Sequence, residues 1–174
     1  MKTLPIALFS IVAMTGCAGM GGSSPIAVAN MKPTQGNTAT GTVTFVKKGD
    51  QLLMDARLTG VPPGVHGFHI HEKGDCSAPD AMSAGGHFNP SGTHHGAPNK
   101  GEHHGGDLGN ITADANGKAE LQLSIPISEI NVMKNSPASI IGKGLIVHAD
   151  PDDYKTQPTG NSGKRLACGV ISLK

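Results

Sequence analysis

Alternating apolar and polar positions dominate this chain. Ala119, Leu121, Leu123 and Ile125 alternate with Glu120, Gln122 and Ser124, the two-residue period of a strand buried on one face. Val43 and Phe45 alternate with Thr42 and Thr44, while Leu52, Met54, Ala56 and Leu58 share a face. Lys47-Lys48-Gly49-Asp50 between these runs is turn chemistry, so the pair predicts a hairpin. Asp114-Ala115-Asn116-Gly117 marks a second turn. Further strands are predicted over 26–31, 65–72, 108–112, 144–149 and 167–173, and no segment has a convincing helical period. That makes about eight short strands, and the expected fold is all-β, an antiparallel sandwich or barrel. Residues 73–106 and 150–164 break the pattern, being long, polar and rich in Gly and Pro. Loops of that length in a compact domain are functional or disordered. Both carry or border histidines, so they are expected to be functional.

A length of 174 residues fits one domain, and five aromatic side chains force an aliphatic core. Lys plus Arg number 14 against 13 Asp plus Glu, with no basic run longer than Lys47-Lys48. That balance argues against a nucleic-acid partner. Met1 and Lys2, the apolar run 4–13 and the small residues Thr15-Gly16 before Cys17 read as a secretion signal. The run is too short for a membrane span of about 20 residues. The Thr15-Gly16-Cys17 ending resembles a bacterial lipobox, with Met14 where Leu is commoner. Three segments are therefore expected: a signal at 1–16 cut before Cys17, a Gly/Ser tether at 17–24, and a folded domain at 25–174. Acylated Cys17 would be the sole membrane contact, placing the domain in the periplasm of a bacterial envelope, at the outer membrane. Loss of Lys2 leaves 13 basic against 13 acidic residues. Cys76 and Cys168 are then the only possible pair in an oxidising compartment.

Nine histidines carry the candidate chemistry. In His66-Gly67-Phe68-His69-Ile70-His71, strand alternation sends Phe68 and Ile70 to the core and His69 and His71 together to the outer face. In Leu145-Ile146-Val147-His148 the same logic turns His148 outward as a third imidazole. Strand imidazoles without thiolate or thioether suit Cu(II), Zn or Ni. The loop between holds His87, the pairs His94-His95 and His103-His104, and Asp107. Several imidazoles and a carboxylate match a closed four-coordinate zinc site that would order the loop. Spacing leaves open which member of each pair binds.

Four blocks, His66-Gly67-Phe68-His69-Ile70-His71, Gly85-Gly86-His87-Phe88-Asn89-Pro90, Gly106-Asp107-Leu108-Gly109-Asn110 and Arg165-Leu166-Ala167-Cys168-Gly169-Val170, together resemble the copper/zinc superoxide dismutase family. The resemblance spans residues 26–173. It implies an eight-stranded Greek-key barrel that converts superoxide to oxygen and hydrogen peroxide, with one copper and one zinc per subunit. It assigns copper to His69, His71, His87 and His148, and zinc to His87, His95, His104 and Asp107, with His87 bridging and able to relay a proton. His94 and His103 fall outside both sets, and His66 takes a structural place. Cys76 and Cys168 match the family disulfide, Arg165 the arginine that receives the anion, and Asp152 the carboxylate linking a copper ligand to a zinc ligand. The resemblance is to exported bacterial members, which occur as monomers or homodimers. Two rival readings keep the metals without the turnover: a copper-binding or copper-delivery protein, and a His-rich metal buffer.

Overall fold

The computed structural model describes residues 26–174; the signal, the tether and Cys17 lie outside the described residues. Eight antiparallel strands close into a barrel: β1 (Ala27–Pro33), β2 (Thr40–Lys48), β3 (Gln51–Thr59), β4 (Gly64–His71), β5 (Asp107–Ala113), β6 (Ala119–Pro126), β7 (Gly144–His148) and β8 (Arg165–Leu173). Their order around the barrel is β1-β2-β3-β6-β5-β4-β7-β8. The β3–β4 and β6–β7 connections each skip two strands, which is the Greek-key crossing the resemblance implied. Closure through the β1–β8 pairing removes free sheet edges.

The alternating positions form the core as expected. Val43 pairs with Ala56 and Phe45 with Met54, and all four are buried inside the barrel. Leu52, Leu58, Ile111, Ile125, Leu145, Val147 and Ile171 complete an aliphatic cluster in which Phe45, Phe68 and Phe88 are the aromatic members. A second, smaller cluster lies outside the barrel wall, where Ile146, Cys168, Ala81 and Ala84 pack together beside Cys76. It forms because the Cys76–Cys168 disulfide, with Cα atoms 5.8 Å apart, fastens the β4–β5 loop to β8.

Among the described residues no α-helix forms, as the sequence implied, and a single turn of 3-10 helix, Met82–Ala84, stands in the first long loop. The outer face of β4, by contrast, is not open: His69 and His71 are 0% and 1% exposed. The loops at 72–106 and 149–164 fold back over β4 and β7 and bury the histidines there. The return is woven into the strand through Phe88 N–H to Ile70 O, Gly106 N–H to Phe88 O and Ile70 N–H to Gly106 O, at 2.8, 2.8 and 2.9 Å. Residue 106 must be glycine for this, because a Cβ there would collide with the Ile70 carbonyl.

Candidate metal centre

Strands β4 and β7 set three of the imidazoles. His69 and His71 leave the same face of β4, and a register shift at Val147/His148 in the β7–β8 pairing re-aims His148 toward them. His87 is brought alongside by a backbone bridge to His71. His69, His71, His87 and His148 thus form one group, and His87, His95, His104 and Asp107 a second, each with ligand atoms within 4.8 Å of one another. Every residue of both groups is buried. His87 belongs to both. The structure brings together all the ligands the resemblance assigned and leaves His94 and His103 outside. His94 faces solvent against Glu102 at 3.0 Å, and His103 bonds Glu129 at 2.8 Å. His66 is a post between main chains, its ring nitrogens 2.9 Å from His148 O and 2.7 Å from Pro62 O.

Outward partners fix the ring tautomers. His69 Nε2–H donates to Asp152 Oδ2 at 2.9 Å, and His95 Nε2–H to Asp152 Oδ1 at 2.9 Å. His71 Nδ1–H donates to Gly85 O at 2.9 Å, and His148 Nδ1–H faces Gly163 O at 3.4 Å. Each bond turns the other ring nitrogen inward, and in the neutral ring that nitrogen carries the lone pair. Among the described residues five buried side-chain polar atoms have no hydrogen-bond partner, and four are inward imidazole nitrogens: His69 Nδ1, His87 Nε2, His95 Nδ1 and His104 Nδ1. Such orphans cost about 1–3 kcal/mol each. Four in one place are what a coordination site needs, so the residues fit the metals. In the second group His95 Nδ1 and His104 Nδ1 lie 3.0 and 3.4 Å from Asp107 oxygens, off the line of a hydrogen bond. A tetrahedral zinc with bonds near 2.0 Å has ligand atoms about 3.3 Å apart. The donor sets, all imidazole in one and three imidazoles with a carboxylate in the other, suit copper and zinc respectively.

Electrostatics sets His95 apart from His69, His71, His104 and His148, all of which burial pushes below the ordinary imidazole value. Burial, reinforced by neighbouring histidines, pushes His71 and His148 well below the ordinary imidazole value. Burial likewise brings His69 down to about 4 despite its bond to Asp152. These rings stay neutral and able to ligate. His95 behaves oppositely: burial opposes its protonation, yet Asp107 and Asp152 together push it up to about 9. Both carboxyls are held well below the ordinary range against the cost of burial, chiefly by their histidine bonds.

Arg165 stands at the rim. Its guanidinium donates to Ala81 O at 2.7 Å and to Gly85 O at 2.6 Å. Gly85 O therefore carries both Arg165 and the His71 ring. Two bonds leave three of the five guanidinium donors for another acceptor. Outside, Arg165 and Lys164 line a groove of about 280 Å³ with Thr34, Asn37 and Asp80.

Sequence reasoning missed several residues. Asn110 accepts from Asp152 N–H at 2.8 Å and donates to Asp152 O at 3.0 Å, so β5 aims the linking carboxylate. Gly160 sits at φ +67° where any Cβ would run into Asp152 and the His95 ring. Gln157 bonds the His95 main chain. Asn110 lay in a recognised block without a role, and the other two had no local signal.

The family model of copper/zinc superoxide dismutase (SODC) matches residues 39–171. Among solved structures, one described as the clock protein EA4 is similar at 38% sequence identity, with a TM-score of 0.76, over 88% of this chain and 98% of that one.

Proposed function

The chain belongs to the copper/zinc superoxide dismutase family, and from that premise we propose that it removes superoxide in a bacterial cell envelope as a lipid-anchored enzyme. The observation that carries the reading is His87, which belongs to both sets of ligands, its Nδ1 2.7 Å from Asp107 and its Nε2 without a protein partner. Copper, when bound, supplies a one-electron couple that can take an electron from one superoxide and return it to another, while zinc has no redox chemistry.

The protein's own groups do the rest. Arg165, a cation fixed by two carbonyls, receives the anion beside His71. The peroxide product needs protons. His87 Nε2 is buried and free of any protein partner, so it can hold a proton there and give it up, while Nδ1 on the other side of the ring faces Asp107 at 2.7 Å. Asp152 and Gly85 O hold the His69 and His71 rings in ligating orientation. The two loops leave every ligand side chain buried beneath them.

The envelope assignment is supported by the signal-like 1–16, by Cys17 and by a disulfide of the kind that persists in oxidising compartments. Competition with cytochrome c for superoxide tests the reaction on the metal-loaded chain. Protection in proportion to bound copper supports it; copper bound tightly without protection leaves a binding or delivery protein. Fractionation tests the anchor: the chain should sediment with membranes and become soluble in Cys17→Ser, and an already soluble wild type would refute it.

A further inference from the structure

We propose that Gln157 is a positioning residue for the zinc ligand His95, and that the clasp of its amide on the His95 main chain sets how long the zinc site keeps its ion. The Gln157 side chain accepts from His95 N–H through Oε1 at 2.9 Å and donates from Nε2 to His95 O at 2.9 Å, across 62 residues of sequence. One amide thus takes both main-chain groups of a single residue, as a neighbouring strand would. The same 149–164 loop grips the ring of His95 through Asp152. His95 is therefore held at three points by a segment that contributes no zinc ligand of its own.

The other three ligands are anchored differently. His87 is bridged to β4, His104 N–H bonds Asp107 Oδ2 at 2.8 Å, and Asp107 begins β5. His95 sits in the 91–101 stretch, whose neighbours Ser91, Gly92, His94 and Gly101 are exposed. Swinging His95 away from the site requires breaking no strand ladder: its own hydrogen bonds run to Asp152 and Gln157, and the next residue adds Gly96 N–H to Asp107 Oδ2 at 3.2 Å. The Asp152 bond serves copper as well, through His69. Among the metal ligands Gln157 bonds His95 alone, its remaining bond running within its own loop to Lys155 O at 3.4 Å, so its removal separates retention of zinc from retention of copper.

The test uses the full chain loaded with copper and zinc. Excess 4-(2-pyridylazo)resorcinol is added and transfer of each metal is followed. In Gln157→Leu zinc release should be about tenfold faster, as expected for two lost hydrogen bonds on a ligand residue, with copper release within about twofold of wild type. The visible bands of cobalt(II) placed in the zinc site should change, because the His95 geometry is no longer fixed. Zinc release within about twofold of wild type, or equal acceleration of both metals, would overturn the proposal. Should the metal-free variant melt well below the metal-free wild type, Gln157→Glu replaces it. That variant keeps the Oε1 acceptor and loses the donor, and unaltered zinc release in it would also overturn the proposal. The proposal stands on the zinc ligands and not on superoxide turnover, which these readouts do not use.

Discussion

Replacing Asp152 by Asn keeps the size of the side chain and removes its charge and one of its two acceptors. In the wild type one oxygen accepts from His69 Nε2 at 2.9 Å and the other from His95 Nε2 at 2.9 Å and Tyr154 N–H at 2.8 Å, all at 3% exposure. An amide has one oxygen. Whichever way it turns, its NH2 group faces a buried imidazole N–H, and a hydrogen bond to a charged acceptor, about 1.5–3 kcal/mol, is lost. That corresponds to roughly a tenfold to hundredfold loss of metal affinity, the range seen when partners of ligating histidines are changed. The loss should fall harder on zinc. Three copper ligands ride on β4 and β7, whereas His87, His95 and His104 are loop residues. Chelator competition at equilibrium gives both affinities, and the thermal midpoint of the metal-free protein checks that the variant is folded. A folded Asp152→Asn protein that binds both metals within about threefold of wild type would refute the reasoning.

Arg165→Ala should keep its full copper content and lose about tenfold in second-order superoxide consumption, since a fixed cation is removed from a chain with no net field to replace it; unchanged consumption in a stopped-flow assay would remove Arg165 from the reaction. Paired Cys76→Ser and Cys168→Ser substitutions release a link across 92 residues and should cost about 2–5 kcal/mol, a drop of roughly 10 °C in calorimetry; a shift under about 2 °C would contradict it. In metal-free protein, His69 at about 4 and the lowered His71 and His148 bind fewer protons than in the unfolded chain, where the ordinary value is 6.5. Stability should therefore fall as pH drops from about 6.5 to 4, by about 3 kcal/mol for His69 alone. His95, raised to about 9, contributes stability already complete below 6.5, and Asp107 and Asp152 lose theirs only as pH falls below their ordinary 3.8, so none offsets the trend. Urea midpoints at pH 6.5 and 4.5 read this directly, and equal midpoints would contradict it.

Legibility followed the range of the physics. Alternation is local, so the β2–β3 hairpin, the 119–125 strand and the inward or outward aim of Phe68, His69, Leu145 and His148 could be read from spacing. The ligand members of His94-His95 and His103-His104 could not, because what separates them is burial under a distant loop; the family pattern was needed to choose. Burial of His69 and His71 was likewise invisible, since an outward strand face becomes interior only when two loops close over it. Asn110, Gly160 and Gln157 act on Asp152 and His95 from 42, 8 and 62 residues away. Contacts of that kind leave no periodic mark on a sequence.

Superoxide turnover is read without intermediaries by pulse radiolysis of the full chain carrying one copper and one zinc. Superoxide dismutases work near the diffusional ceiling, so second-order superoxide decay is expected at about 10⁸ to 10⁹ M⁻¹s⁻¹, rising linearly with copper occupancy. Decay indistinguishable from that of the metal-free chain would contradict it.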